Sequence, residues 1–287
     1  MLLQRIITAL ILAPLIVLAV FQLPSEYFSL LIGLIVLLAA WEWTHLIGIN
    51  SVLKRGLFLF TLILPMLWLH FWTQFLEVMA QILDWPDIRD YSGALEWLVV
   101  PPVLFWILAM ILIRNLPVGV LKLDMKTGYK ALIGWLVLFS AWLFLSRLRA
   151  FYGSELTLYF LILIWAADIT AYFAGKKYGK TKLSPEISPG KTVQGMYGAL
   201  IAGLVCAGVL SLIYSFPWMV ASDFAMLSVL TVLISIYGDL FFSVVKRQRG
   251  VKDTGSILPG HGGILDRIDS LIAAIPFFYA GIILIHP

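Results

Sequence analysis

The sequence predicts an all-α integral membrane protein, a polytopic bundle of about nine transmembrane helices. Of its 287 residues, 61% are hydrophobic and only 13% are charged, whereas a soluble domain carries roughly 25% charged residues. Because the bilayer core holds no water for the backbone, spanning segments are helices or closed barrels. The apolar runs here are long and continuous, while barrel strands alternate apolar and polar residues. Helices are therefore favoured.

Nine apolar segments approach the length of about 20 residues that a spanning helix needs. The third is interrupted by Pro65, and Pro101-Pro102 should kink or break the fourth near its start. The first has no small-residue cleavage site after its apolar region, so we expect an uncleaved span rather than a signal peptide. The predicted limits are 6–22, 28–46, 57–80, 97–114, 131–150, 157–175, 194–214, 223–243 and 270–286.

The charges between these segments predict their orientation. With the N-terminus in the cytoplasm, every Lys and Arg falls on the cytoplasmic side except Arg89, Arg147 and Arg149. This is the asymmetry of the positive-inside rule, and an odd number of spans leaves the C-terminus outside. Losing or gaining one span would reverse the later loops and remove the asymmetry.

Polar chemistry is concentrated in the second half of the chain. Residues 1–150 read as a transmembrane scaffold, and residues 151–287 as a catalytic transmembrane part with cytoplasmic loops 176–193 and 244–269. The segment 243–269 (SVVKRQRGVKDTGSILPGHGGILDRID) is a polar island between two apolar segments. Charged groups beside lipid are costly to hold, so this segment is a candidate functional site.

Three carboxylates near this segment are candidate metal ligands: Asp239, Asp266 and Asp269. Asp266 and Asp269 are three residues apart, so they share a face if the start of the last span is helical. One or two carboxylates together with substrate phosphates are the usual ligands of Mg²⁺. The structural alternative is a helix N-cap or a pair with Arg267.

A fourth carboxylate, Asp168, lies roughly 10 Å inside the sixth span at 1.5 Å per residue. A carboxylate within the membrane is a functional-site hypothesis by default. Its role stays open among metal binding, substrate binding and structural support. The structural alternative is a buried pair with Thr170, Tyr172 or Lys191.

Cations in the two cytoplasmic loops suit polyphosphate binding. Lys191 lies in the segment Ser188-Pro189-Gly190-Lys191-Thr192, whose Gly-Lys-Thr is not a Walker A motif because Pro185 stands where that motif needs glycine. The other loop lysines are explained by the positive-inside rule and attraction to anionic lipid.

Within the later loop, Lys246 and Arg247 are placed to clamp phosphate oxygens, and Lys252 and Asp253 are charged residues beside them. Ser243 and Lys246 make Ser-x-x-Lys, but covalent serine chemistry would also need an oxyanion hole. We therefore expect Ser243 to contact a metal or a phosphate.

The turn around His261 is the last candidate. Gly260, Gly262 and Gly263 let backbone N–H groups approach an anion closely. No second His or Cys lies at zinc-binding spacing, so a zinc site is not expected. His261 is either a substrate contact or a hydrogen-bonded structural group.

These motifs together resemble the phosphatidate cytidylyltransferases (CDP-diacylglycerol synthases). The resemblance covers residues 157–286 with specific motifs, while residues 1–150 contribute only size, span pattern and the Trp-Glu-Trp element at 41–43. Its motifs, as they stand here, are Asp168 with the following aromatic and Gly-Lys residues, Ser188 to Thr192, Ser243, Lys246-Arg247, Lys252-Asp253, His261-Gly262-Gly263 and Asp266-Arg267-Ile268-Asp269.

The resemblance implies that CTP and phosphatidate are converted to CDP-diacylglycerol and pyrophosphate in phospholipid synthesis, at the cytoplasmic face of a bacterial inner membrane. It implies Mg²⁺ held by Asp239 and Asp266, leaves a second cation open, and implies a homodimer and no nucleic-acid partner. The implied catalytic residues are Asp239, Asp266, Asp269, Lys246, Arg247 and Asp168. The implied substrate-binding residues are Lys191, Ser188, Thr192, Ser243, Lys252, Asp253, His261, Gly262, Gly263 and Arg267.

Two other functions remain as alternatives. A CTP-dependent lipid kinase would transfer the γ-phosphate instead. A membrane transporter would account for Asp168 and the hydrophobic content, although the charges gather at one face and no paired inverted halves are evident.

Overall fold

The computed structural model describes residues 2–85, 93, 95–257 and 262–285. In this part of the chain nearly all regular structure is helical, and one short antiparallel hairpin joins two of the helices. The helices are α1 (Leu2–Gln22), α2 (Ser25–Leu46), α3 (Val52–His70), α4 (Trp72–Ile82), α5 (Val100–Asn115), α6 (Pro117–Lys122), α7 (Thr127–Tyr178), α8 (Val193–Ile213), α9 (Trp218–Arg249) and α10 (Leu265–Ile285). The strands are β1 (Lys182–Ser184) and β2 (Ser188–Thr192).

The length and apolar character of these helices confirm an all-α polytopic membrane protein. Within the described residues, seven helices are long and apolar enough to cross a membrane: α2, α3, Leu95–Asn115 (which contains α5), α7, α8, α9 and α10. The predicted break at Pro101-Pro102 takes the form of a helix start, since α5 begins at Val100 with both prolines in its first turn, where a missing N–H costs nothing.

The predicted span 57–80 is two helices rather than one. Pro65 lies inside α3 without ending it, and the helix instead ends at His70 before α4 begins. Proline leaves the carbonyl four residues earlier without its helical donor. The indole of Trp135 donates a hydrogen bond to that carbonyl, on Thr61, at 3.1 Å. A neighbouring helix therefore satisfies the group that Pro65 releases.

The 52-residue α7 is divided by Gly153. Gly153 has φ 85° and ψ 178°, a left-handed conformation that glycine adopts without the Cβ strain of other residues. An unbroken helix of this length would extend about 78 Å, more than twice the hydrocarbon thickness. The break falls between the predicted spans 131–150 and 157–175, so the two predicted spans correspond to the two halves of α7.

Helix α10 lies at the centre of the bundle. It packs against α9, α7, α5 and α2, and its face bearing Ala273, Ala274, Phe278 and Ile282 is fully buried. Close approach depends on small residues, since lipid gives helices no hydrophobic reason to associate. A Cβ on Gly238 of α9, for example, would overlap the Cβ of Ala273.

Small residues also bring α7 and α8 together. A Cβ on Gly195 would come within 2.8 Å of the Ala171 carbonyl oxygen, and one on Gly198 within 2.6 Å of the Ala174 Cβ. The small residues of the stretch 195–199 therefore pack two helices of the same chain closely together.

The hairpin occupies part of the predicted cytoplasmic loop 176–193 and connects α7 to α8. Lys182 pairs with Thr192, and Ser184 pairs with Ser188. The Thr192 hydroxyl accepts a hydrogen bond from the Gly195 N–H at 3.1 Å and so caps α8. This cap holds the start of α8, and with it the hairpin, beside the end of α7.

Candidate active site

A large cavity has one apolar wall and one charged end. Its volume is about 880 Å³. The apolar wall comes from α1, α2 and α7 and includes Leu12, Ile16, Phe28, Ile32, Leu145 and Trp165. The polar end comes from α7, α9, α10 and the loop between the last two helices, and carries Asp168, Asp239, Ser243, Lys246, Arg247, Lys252, Asp253, Asp266, Arg267 and Asp269.

A second, smaller cavity of about 420 Å³ lies beside the hairpin. Its lining includes three lysines and one exposed aromatic ring, namely Lys176, Lys182, Lys191 and Tyr172. Asp168 and Asp239 line both cavities. A ligand bound in the larger cavity and a ligand bound in the smaller one would therefore meet at these two carboxylates.

Three polar residues near the end of α9 share one face of the helix. Asp239, Ser243 and Lys246 are spaced at i, i+4 and i+7, which places them on one side of a helix. The Ser243 hydroxyl donates to Asp239 Oδ1 at 3.4 Å. Lys191 Nζ pairs with Asp239 Oδ2 at 2.6 Å and also donates to the Ile236 carbonyl at 3.2 Å. Lys191, the cation predicted to bind phosphate, is therefore paired with Asp239, a predicted metal ligand.

Asp266 is the most fully bonded carboxylate of the site. Its Oδ1 pairs with Lys246 Nζ at 2.7 Å. Its Oδ2 accepts hydrogen bonds from the Thr254 N–H at 2.7 Å, the Thr254 hydroxyl at 3.0 Å and the Gly263 N–H at 3.1 Å. Lys246 therefore pairs with Asp266 from the neighbouring helix α9.

Asp269 lies one turn further along α10, on the same side of the helix. It is 7% exposed, and its Oδ1 accepts the Ser270 N–H at 2.7 Å. It lines the larger cavity together with Asp239 and Asp266. The three candidate carboxylates therefore line one cavity, and two of them are paired with lysines, Asp239 with Lys191 and Asp266 with Lys246.

Asp168 faces the cavities from α7. Of its three proposed partners, Thr170 donates instead to the carbonyls of Ala166 and Ala167, and Lys191 pairs with Asp239. Tyr172 lines the smaller cavity with Asp168. Asp168 therefore lines both cavities beside Asp239, and its role in a site stays a prediction.

Three other predicted site residues, Arg247, Thr192 and Ser188, differ in what they contact. Arg247 Nε donates to the Ile187 carbonyl at 3.2 Å and so ties α9 to the hairpin. Thr192 caps α8 as well as lining the smaller cavity. Ser188 opens β2 opposite Ser184 and is not among the residues that line either cavity. Their substrate contacts stay predictions.

The predicted anion-binding turn holds the protein's own carboxylates. The Gly263 N–H donates to Asp266 and the Ile264 N–H donates to Glu42 Oε1 at 3.0 Å. Gly262 has φ 82°, and neither it nor Gly263 is among the cavity-lining residues. His261 lies outside the described residues.

Two members of this network were given no role from the sequence: Glu42, which was noted only within the Trp-Glu-Trp element at 41–43, and Thr254. Thr254 is 3% exposed, and its hydroxyl lies 2.9 Å from Glu42 Oε2. Glu42 could have been recognised as a candidate functional residue, because it is a carboxylate within an otherwise apolar predicted span. No comparable signal marked Thr254, an ordinary residue of a polar loop.

Comparison with known proteins shows the family of the chain. A sequence model of the Cytidylyltransferase family matches residues 3–285. The phosphatidate cytidylyltransferase of Haemophilus influenzae is 36% identical over 97% of both chains. The phosphatidate cytidylyltransferase of Pseudomonas aeruginosa is 38% identical over 98% of this chain and 96% of its own. The resemblance inferred from the motifs is thereby confirmed, and the chain belongs to the cytidylyltransferase family.

Proposed function

We propose that the protein transfers the cytidylyl group of CTP to phosphatidate, giving CDP-diacylglycerol and pyrophosphate. The observation that carries this proposal is the meeting of two unlike cavities at Asp168 and Asp239. One cavity has an apolar wall ending in a charged cluster, as an amphiphile requires. The other is small and lined by lysines, as a nucleotide polyphosphate requires. The full-length similarity to proteins named phosphatidate cytidylyltransferase supports the same reaction.

Each substrate has a natural place in this arrangement. The acyl chains of phosphatidate fit the wall that includes Leu12, Ile16 and Phe28, with the phosphate near Lys246 and Arg247. CTP fits the smaller cavity, where Lys191 meets its phosphates. Three further predicted contacts line the same larger cavity: Lys252, Asp253 and Arg267.

Asp239 and Asp266 are suited to hold Mg²⁺. Among the described residues no group of three His, Cys, Asp or Glu side chains forms a metal centre. Mg²⁺ commonly takes only one or two protein carboxylates and completes its shell with substrate phosphates and water. Two carboxylates in one cavity, with Asp269 beside them, fit such a shared site. When bound, the metal would supply charge neutralisation on the phosphates.

The protein's own residues then perform positioning and charge stabilisation, which dominate phosphoryl transfer. An oxygen of the phosphatidate phosphate attacks the α-phosphorus of CTP, and the bond from that phosphorus to the bridging oxygen of pyrophosphate breaks. Lys191 and Lys246 now pair with Asp239 and Asp266. Ligand binding at these carboxylates would allow both ammonium groups to turn to phosphate oxygens. No protein nucleophile is needed.

The membrane arrangement belongs to the same proposal. The number of crossings is nine if three conditions hold. The two halves of α7 each cross, α1 forms the first predicted span, and α3 and α4 together form the third. The site then lies at the cytoplasmic face of a bacterial inner membrane, with the N-terminus inside and the C-terminus outside. The division at residue 150, surrounding lipid as a partner and the implied homodimer are retained as proposals. Light scattering of the purified protein in detergent tests the dimer.

The function is tested with purified protein, phosphatidate, Mg²⁺ and CTP labelled separately at the α- and γ-phosphates. We expect α label in the lipid and γ label in pyrophosphate. Label from the γ position in the lipid would identify a lipid kinase, and no lipid product would favour a transporter.

The metal assignment is tested on the same assay with Asp239→Asn and Asp266→Asn. Each should lower turnover at limiting Mg²⁺ by about 100-fold or more. Asp223→Asn, on the same helix as Asp239 but sixteen residues earlier, is the matched control and should leave turnover unchanged. Full activity of either site variant at limiting Mg²⁺ would refute the metal assignment.

A further inference from the structure

Glu42 of α2 is a buried carboxylate outside the residues considered so far for the chemistry. It is 3% exposed and is not among the residues that line the two cavities. A buried carboxylate is costly unless its oxygens are bonded. Its bonding partners therefore show what it does.

Those partners lie more than 200 positions away in the sequence, at the start of α10. Oε1 accepts the Ile264 N–H at 3.0 Å, and Oε2 accepts the Leu265 N–H at 2.8 Å. The first N–H groups of a helix have no partner within it, and the helix end carries partial positive charge. Glu42 thus caps α10 from another helix.

The same carboxylate is linked to Asp266 through Thr254. The Thr254 hydroxyl lies 2.9 Å from Glu42 Oε2 and 3.0 Å from Asp266 Oδ2. A hydroxyl has one proton and can donate fully to only one of these oxygens at a time. Backbone N–H groups hold each carboxylate in place on its own side: Leu265 for Glu42, and Gly263 for Asp266.

The backbone is shaped closely around Glu42. A Cβ on Gly255 would come within 2.5 Å of Glu42 Oε1, and a Cβ on Gly263 would overlap both Glu42 and the Thr254 hydroxyl. These two glycines provide room for the carboxylate. The other end of α2 meanwhile contributes Phe28 and Ile32 to the apolar wall of the larger cavity.

We propose that Glu42 is a positioning residue: by holding the start of α10 and Thr254, it keeps Asp266 opposite Lys246. This inference rests on the proposed function, in which Asp266 takes part in the site. It also makes α2 the connection between the apolar wall and the charged end. The scaffold half of the chain thereby contributes directly to the geometry of the site.

The test compares Glu42→Gln with the wild-type protein in detergent. Glutamine keeps the shape but turns an NH₂ group toward a backbone N–H or the Thr254 hydroxyl. We expect kcat to fall between about 10- and 100-fold, as for a misplaced catalytic group, with KM for both substrates changed less than about threefold. In an Asp266→Asn background the same change should lower the residual kcat by less than about twofold, because the two residues act together.

Thr254 and Thr44 supply the matched variants. Thr254→Val should lower kcat while Thr254→Ser restores it, since only the hydroxyl bridges the carboxylates. Thr44→Val is the control, because Thr44 is buried on the same helix but its hydroxyl donates to the Trp41 carbonyl. That variant should keep the wild-type kcat.

Amide hydrogen exchange of residues 262–266 gives a readout that does not depend on activity. Exchange there should accelerate in Glu42→Gln and not in Thr44→Val. Unchanged kcat in both Glu42→Gln and Thr254→Val, or a loss of thermal stability with unchanged kcat per folded molecule, would overturn the proposal. If the wild-type protein makes no CDP-diacylglycerol, the proposed function fails by itself. Exchange then decides the positioning role, which unchanged rates in Glu42→Gln would refute.

Discussion

The contact between Gly238 and Ala273 sets the distance between α9 and α10 at the site. Gly238 directly precedes Asp239, and Ala273 follows Asp269 by one helical turn. A Cβ on Gly238 would lie closer than 3.0 Å to the Ala273 Cβ, and 3.3 Å from the Asp269 carbonyl oxygen. Carbon atoms pack at about 3.5–4.0 Å, so Gly238→Ala must separate the helices by on the order of 1 Å.

This separation should affect activity more than stability. Overpacking costs about 1–3 kcal/mol, which the better helix propensity of alanine offsets by up to about 1 kcal/mol. A displacement of about 1 Å between catalytic groups lowers the rate by about 100-fold. We therefore expect Gly238→Ala to fold, with a small loss of thermal stability, and to lose about 100-fold in kcat.

The assay is CDP-diacylglycerol formation per folded molecule, beside thermal unfolding in detergent. Gly208→Ala is the matched control, because a Cβ at Gly208 of α8 meets nothing within 4 Å. The double variant Gly238→Ala, Ala273→Gly moves the methyl group from one helix to the other and should recover most of the activity. Wild-type turnover in Gly238→Ala, or no recovery in the double variant, would refute the packing argument.

Three further predictions follow from single contacts. Lys191→Met should raise KM for CTP about tenfold or more with a smaller change in kcat, and an unchanged KM in steady-state assays would remove Lys191 from the nucleotide site. Arg149→Met deletes hydrogen bonds to the carbonyls of Val20 and Leu23 and should lower the free energy of unfolding by about 1.5–3 kcal/mol. Its kcat per folded molecule should not change, and an unaltered melting temperature would contradict the assigned contact. Removing divalent cations with EDTA should abolish transfer and added Mg²⁺ should restore it, whereas full activity in EDTA would exclude the proposed metal.

Much of the fold follows from local properties of the sequence. Hydropathy over about 20 residues locates the spanning segments, because the membrane acts on each one separately. The two predicted spans 131–150 and 157–175 correspond to the halves of α7 on either side of Gly153. The interruption of the span 57–80 was predicted at Pro65, but α3 continues past it to His70, because Trp135 of a distant helix satisfies the carbonyl that Pro65 frees.

The polar residues of the site were also recognisable individually, and their partners were not. A carboxylate near a membrane face suggests function wherever it occurs, which led to Asp168, Asp239, Asp266 and Asp269. Helical spacing placed Asp266 and Asp269 on one side, as observed. It did not predict that Lys191 would reach Asp239 from the hairpin.

The sequence by itself therefore determined that this is a helical membrane protein of the cytidylyltransferase family, and which polar residues gather toward one end of its helices. Only the tertiary structure decided the pairing of Lys246 with Asp266 and the capping of α10 by Glu42. The physical reason is the separation along the chain of the residues that interact. Hydropathy and helical periodicity act over neighbouring residues, whereas a buried carboxylate finds its donors wherever the packing of distant helices brings them within 3 Å.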